Sequence, residues 1–231
     1  YFKNNPIRFG NTGHSISLGI GMVHQHFTLA DNLTVLENII IGQKSLLSLS
    51  LSKSFAREKL YSLIDKFGLP INPEATVSDL SVSQKQRLEI LKTLYKDCEL
   101  LILDEPTAAL TPQETDGLFE TIKKMVSQGL SVILISHKLN EVLSVSDRIV
   151  VLRNGRKVGE KKTITADYKT IASMIVGKEI TYPKKIKNNP IDEVLRLENI
   201  NYKSENDLDV KLSNLNLKLY EGEIIGIAGV A

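Results

Sequence analysis

The chain has 231 residues, 42% of them hydrophobic, enough to bury one substantial core or one core and part of a second. Its 29 basic and 27 acidic residues leave a formal net charge of +2, so no global field points to nucleic acid. One cysteine, Cys98, excludes a disulfide framework and fits a reducing compartment, and no apolar run approaches the roughly 18 residues needed to span a bilayer.

The N-terminal YFKNNPIRFG has no signal-peptide core and starts in mid-pattern. Pro6 to Phe9 reads as a short extended piece, Thr12 to Leu18 as one or two helical turns, and Gly21 to His24 as a strand leading to Gln25. His24 and His26 flank Gln25 at strand spacing, but with no Cys or acid close by they do not suggest zinc. From Phe27 to Tyr95 the pattern is helical, over Thr34 to Ile41, Phe55 to Phe67 and about Ser83 to Lys96. In the last of these, Leu88, Leu91, Leu94 and Tyr95 share a face, with Lys85, Arg87, Glu89 and Lys92 on others. Ser81 and Gln84 form a capping box at its start.

Residues 100–110, LLILDEPTAAL, are the centre of the chain: a short apolar run predicts a strand buried on both faces of a parallel sheet, ended by Pro106. Asp104 and Glu105 close it. Taken alone, such a pair is either a solvated strand end or a metal and water site. Thr111-Pro112-Gln113-Glu114 then opens a helix carrying Leu118, Ile122 and Met125 inward to about Gln128. SVILIS at 131–136 is a second apolar strand with His137 at its end, and a helix from about Leu139 to Leu143 follows. DRIVVLRNGRKVGE reads as two strands joined by Asn154-Gly155. The alternation of strand and helix predicts a mostly parallel sheet with functional residues at one edge.

Residues 161–192 turn polar and lysine-rich around one helix near Tyr168 to Val176, and 177–192 reads as a linker. VLRLENINY at 194–202, LSNLNLKL at 212–219 and EIIGIAG at 223–229 predict the strands of a second domain. Both ends read as interruptions of a longer pattern.

Gln25 after a strand, LSVSQKQR opening a helix, LLILDEPTAAL and ISH at 135–137, in this order, resemble the ATP-binding cassette ATPases over nearly the whole chain. VHQHF, LTVLENI and EPTAALTPQE are similar to the double-cassette ATPases of simple-sugar and nucleoside importers. The resemblance implies an α/β, P-loop NTPase-like core at 1–160 with an inserted helical subdomain at about 27–96, a linker at 161–192 and the start of a second cassette at 193–231. It makes Gln25 the Q-loop, Ser81, Val82, Ser83 and Gln84 the signature loop that meets a nucleotide in trans, and Ala108, Ala109 and Leu110 the D-loop. Asp104 and Gln25 would hold Mg²⁺, Glu105 would orient or deprotonate the attacking water, and His137 would contact the γ-phosphate.

The implied cofactors are ATP and Mg²⁺. The implied partners are membrane permease subunits, the second cassette and, indirectly, an extracytoplasmic solute-binding protein, at the cytoplasmic face of the membrane; nucleic acid is not expected. Two departures stand out. No G-x-x-x-x-G-K-[ST] occurs, so the phosphate cradle is expected upstream of Tyr1 and this chain by itself is expected to be inactive. Ser83 stands where the family usually has glycine, crowding the approach to a phosphate. Alternative readings are a tandem cassette acting on ribosomes or nucleic acid, and a non-catalytic remnant.

Overall fold

The computed structural model describes residues 1–8, 10–41, 53–178, 192–203 and 211–227. It comprises two compact units, Tyr1–Ile180 and Thr181–Ala231. Strands β1 (Ile20–Val23), β2 (Leu100–Asp104) and β3 (Ser131–Ile135) of the first unit lie side by side in that order with both pairings parallel. Val23 is beside Leu103 and Asp104 beside Ile135, so all three C-terminal ends lie at one edge.

Helices α1 (Thr12–Ser17), α2 (Val35–Ile41), α3 (Lys53–Phe67), α4 (Val82–Leu94) and α5 (Pro112–Ser127) follow the predicted order closely. Their starts are fixed locally. Ser81 with Gln84, and Thr111 with Glu114, close reciprocal capping boxes. Thr34 and Glu37 exchange the same pair of bonds, at 3.1 and 3.2 Å, ahead of α2. Ala56, Leu60, Ile64 and Phe67 of α3, Leu88, Leu91 and Leu94 of α4, and Leu118, Ile122 and Met125 of α5 are buried in one core with Leu101 and Leu103. Asn38 of α2 is buried with its amide fully used: it accepts from the Ala30 N–H and donates to the Ala30 and Thr34 carbonyls.

The sheet corrects one expectation. Val23, Leu101 and Leu103 are buried, but Ile102 on the alternate face is half-buried, and Met22, Ile133 and Ile135 are exposed. The strand is therefore buried on one face rather than two. Helices α4 and α5 lie against β1 and β3, and the period of two sends every second apolar side chain to the opposite face. Glu89, expected on a face other than that of Leu88, Leu91 and Leu94, is buried as well, at 6% exposed.

Beyond β3, α6 (Leu139–Val145) precedes the antiparallel hairpin of β4 (Arg148–Arg153) and β5 (Arg156–Lys162). Asn154 and Gly155 both have positive φ, 51° and 71°, as a two-residue hairpin turn demands. Helix α7 (Tyr168–Val176), capped by Asp167, buries Ile171 against Ile149 and Val151 and so packs on the hairpin. The predicted linker lies, from residue 179 to 191, outside the described residues.

In the second unit β6 (Glu193–Lys203) and β7 (Lys211–Tyr220) form an antiparallel pair. The strand expected at 223–229 is not formed over 223–227, and 228–229 lie outside the described residues. Ile224 and Ile227 are 97% and 88% exposed. Among the described residues no strand pairs with this segment, and an extended run without a ladder partner is not a strand.

Gly21, in β1, is a packing constraint: a Cβ there would meet the Thr93 Cγ2 of α4 at 2.2 Å and the Cys98 Sγ at 2.9 Å. Gly21→Ala should destabilise the chain by roughly 1–3 kcal/mol in urea unfolding. Thr93→Ser, which removes the methyl and keeps the hydroxyl bond to the Glu89 carbonyl, should recover part of that loss; an unchanged midpoint for Gly21→Ala would contradict the close approach.

Candidate nucleotide-hydrolysis site

At the C-terminal edge of the sheet, Gln25 lies two residues past Val23, Asp104 closes β2, Glu105 follows it, and His137 lies two residues past Ile135. In a parallel ladder the rung after Asp104–Ile135 takes two bonds: the 105 N–H to the 135 carbonyl, and the 137 N–H to the 105 carbonyl. The first is present, from Glu105 to Ile135 at 2.9 Å. Glu105, however, has φ 48°, in the left-handed region, where the chain leaves the strand. Its side chain takes over the second bond: the His137 N–H donates to Glu105 Oε1 at 3.1 Å.

The His137 ring Nδ1 lies 2.7 Å from the same oxygen, in the tautomer that donates to it. This leaves Nε2 as the second ring nitrogen of a side chain that is 75% exposed. Glu105 is 15% exposed, and its Oε2 is buried with no hydrogen-bond partner. A half-sequestered carboxylate with one oxygen held and the other unpaired has the form of a proton acceptor awaiting a donor. Asp104 is half-buried and Gln25 exposed at the same edge. Among the described residues no cluster of three or more His, Cys, Asp or Glu could hold a metal by itself. Mg²⁺ bound to nucleotide takes one or two protein ligands and completes its shell with phosphate and water, so an Asp with a Gln fits it, and an all-protein cage does not. His24 and His26 are both exposed and outside β1.

The signature residues stand at the α4 N-terminus. The Ser81 N–H donates to Gln84 Oε1 at 2.9 Å, and the Gln84 N–H donates to Ser81 Oγ at 3.3 Å, so both side chains are spent on the cap. Val82 is 41% exposed. Ser83 Oγ lies 3.1 Å from Ser81 Oγ. The Thr111 N–H, then the Ser83 hydroxyl and the Thr111 hydroxyl, hold the Glu114 carboxyl below the usual range. Ala108 and Ala109 are exposed and Leu110 half-buried, on the turn between β2 and α5.

Two polar clusters beside the site had no sequence signal strong enough to single them out. Glu89 Oε1 accepts from the Thr28 N–H at 2.5 Å and from its hydroxyl at 3.0 Å, while Lys92 Nζ donates to the Thr28 carbonyl at 2.8 Å. The segment after Gln25 is thereby tied to α4. The only hint was position: Glu89 interrupts the apolar stretch 88–91. On the other side, Thr107 and Ser136 both donate to Glu141 of α6. A cavity of about 170 Å³ lies between β1 and α4, lined by Met22, Glu89, Lys92 and Cys98, away from the acidic pair. Burial pushes the Cys98 thiol up, so it is a packing group rather than a nucleophile.

Residues 1–108 match the family described as ABC transporter. The chain is 41% identical over 215 residues to the nucleoside import ATP-binding protein NupA of Lactococcus lactis subsp. cremoris, covering 93% of this chain and 42% of that protein. It is 38% identical over 254 residues to the glucose import ATP-binding protein TsgD13 of Haloferax volcanii, covering 97% of this chain and 46% of that protein. A solved ATP-binding cassette of an ABC transporter in its ADP conformation superposes with a TM-score of 0.65 at 22% identity, over 77% of this chain and 76% of that one, which shows the shared fold. The chain spans less than half the length of these curated relatives.

Ser83→Ala should raise the Glu114 carboxyl toward its ordinary range, read by carboxyl NMR titration, because one donor to the charged form is lost. The stability linked to this depressed carboxyl is present above its unfolded value and is lost as pH falls through the folded one, so the variant should lose less stability on acidification. An unmoved Glu114 titration would show that Ser83 does not hold it.

Proposed function

As a member of the ABC transporter ATPases, this chain carries part of an ATP-binding cassette, and we propose that the whole protein hydrolyses ATP to drive uptake of a small solute of the nucleoside or sugar class. One observation carries the hydrolytic half: Glu105 is held by the His137 N–H and ring through Oε1, while Oε2 is buried and unpartnered. Oε1 completes the ladder rung, but the buried, unpartnered Oε2 does nothing for the fold, since an unsatisfied buried oxygen costs free energy. Its geometry suits a group that takes up its partner with the substrate.

The water attacking the γ-phosphorus would donate to Glu105 Oε2, which orients it and accepts its proton. His137, its Nδ1 committed to Glu105, would meet the phosphate through Nε2, so that one ring connects base and phosphate. Asp104 and Gln25 would hold Mg²⁺, which supplies charge neutralisation at the β- and γ-phosphates when bound. The sequence contains no phosphate-loop motif, so the amides that cradle the phosphates would come from outside residues 1–231. The signature residues Ser81 to Gln84 would face a nucleotide on a second cassette, and Ala108 to Leu110 would line the junction between the two.

The solute class rests on the importer subunits that the chain resembles. No helix among the described residues is long and apolar enough to cross a membrane, so translocation would fall to permease partners. The helical segment that follows Gln25 is the proposed docking element, on the cytoplasmic face of the membrane, with an extracytoplasmic solute-binding protein acting through the permease. Its tie through Glu89, Thr28 and Lys92 would move the segment after Gln25 together with α4.

Glu105→Gln is the test. Glutamine retains an acceptor for the His137 N–H, so the ladder rung survives while the proton acceptor is lost. Turnover of ATP by the whole protein should fall roughly 10²- to 10⁴-fold with ATP binding retained; unchanged turnover would rule out Glu105 as the base.

A further inference from the structure

Glu141, in the first turn of α6, touches none of the groups that would meet nucleotide, yet two segments of the site converge on it, the turn after Glu105 and the loop around His137. The Thr107 hydroxyl donates to Glu141 Oε2 at 2.6 Å, and the Ser136 hydroxyl donates to the same oxygen at 3.2 Å. Lys138 closes the ring. Its N–H donates to Ser136 Oγ at 3.0 Å, and its Nζ pairs with Glu141 Oε1 at 3.1 Å and donates to the Thr107 carbonyl at 3.0 Å. Thr107 is fully buried and Glu141 is 12% exposed.

The proton inventory makes Glu141 the centre of this ring. Each hydroxyl has one proton to give, and both protons are spent on the carboxylate; both hydroxyls then accept from Lys138, through its N–H at Ser136 and its ammonium at Thr107. Only a group with two acceptor oxygens can take two hydroxyls on one side and an ammonium on the other. The residues so joined are the immediate surroundings of the chemistry. Thr107 lies two positions after Glu105 and directly before Ala108, while Ser136 and Lys138 flank His137.

We propose that Glu141 is a positioning residue that clamps the turn after Glu105 to both neighbours of His137, fixing the spacing of the carboxylate and the imidazole and transmitting any displacement of Ala108 to Leu110 to that pair. The proposal rests on Glu105 and His137 being the hydrolytic pair. Glu141 acts only through other residues, and a misplacement of the order of 1 Å at a reacting group costs about 10²-fold in rate. The loss should therefore appear in kcat and not in the binding of ATP.

In the whole protein, Glu141→Ala should lower kcat by about 10- to 100-fold and leave KM for ATP within about twofold. Glu141→Gln, which still offers one oxygen to the hydroxyls but turns an amide NH2 toward the Lys138 ammonium, should lower kcat less than Glu141→Ala. Thr107→Val, of the same shape without the hydroxyl, should act in the same direction, and the Thr107→Val, Glu141→Ala double variant should be no slower than Glu141→Ala alone. These two milder variants carry the test if Glu141→Ala does not fold. An unchanged kcat in a folded Glu141→Ala, a KM rise in its place, or a double variant whose loss is the product of the single losses would each overturn the clamp.

Hydrogen exchange on the 231-residue chain gives a readout independent of turnover. The His137 and Lys138 amides should exchange faster in Glu141→Ala, with those of Leu101 and Leu103 unaltered; unchanged exchange at 137 and 138 overturns the clamp. If Glu105→Gln leaves turnover intact while these two amides loosen, the assignment of the base fails and the clamp stands.

Discussion

The site depends on one substitution of a side chain for a backbone group. At Glu105 the chain turns out of β2 into a left-handed conformation, which costs a non-glycine residue of the order of 1–3 kcal/mol, and the carbonyl that would complete the parallel rung is lost to the ladder. The carboxylate replaces it, accepting the His137 N–H in its place. The strain, the sheet register and the chemistry therefore meet in a single residue. Because Oε1 is fixed by β3, Oε2 has a fixed position as well, and it is this second oxygen that has no partner. A carboxylate on a flexible loop would lose that definition, and a glycine in the same place would relieve the strain while removing both the rung and the proposed base.

The helical segment is organised by buried polar anchors more than by its ion pairs. The pairs from Lys53 to Glu37, Arg57 to Glu74 and Lys59 to Asp97 are exposed at one or both partners, and pairs of this kind contribute between nothing and about 1 kcal/mol each. Asn38 and Glu89 differ in that they are 4% and 6% exposed and bind backbone groups of the loop that follows Gln25. Removing either would leave partly buried backbone groups unpaired, at a cost of up to roughly 1–3 kcal/mol per unsatisfied group. The loop leaving the sheet edge is thus held at two points, by α2 through Ala30 and by α4 through Thr28, and Gln25 lies just ahead of both.

How much of this was legible in the sequence follows the range of each signal. The capping box at Ser81, the cap at Thr111, the Asn154-Gly155 turn and the apolar faces of α4 and α5 are local patterns, and the structure places them where the pattern put them. The order of Gln25, Asp104, Glu105 and His137 at strand ends was also readable, since parallel strands bring their C-terminal ends to one edge. What was not readable depends on partners distant in the chain. The LLIL run of β2 has the same letters whether one face or two are covered, and 223–227 has a strand pattern without a strand to bond. Glu89 differs from Lys92 only in what packs over it. Thr107, Ser136 and Glu141 are ordinary polar residues until β2, β3 and α6 bring them within 3.2 Å.

Ser83 shows how a departure from a family pattern can be absorbed by its surroundings. A glycine at that position would leave the first turn of α4 open, whereas the serine hydroxyl adds bulk near the N-terminal amides. In this chain the hydroxyl pairs with Ser81 Oγ, and it contributes to holding the Glu114 carboxyl low. Glu114 also caps α5 through Thr111, and Thr111 directly follows Ala108 to Leu110 along the chain. The serine thus acts from the start of α4 on a carboxylate at the start of α5 that the cap requires in any case. An influence that costs the cap nothing gives Ser83 a physical place that bulk alone would not.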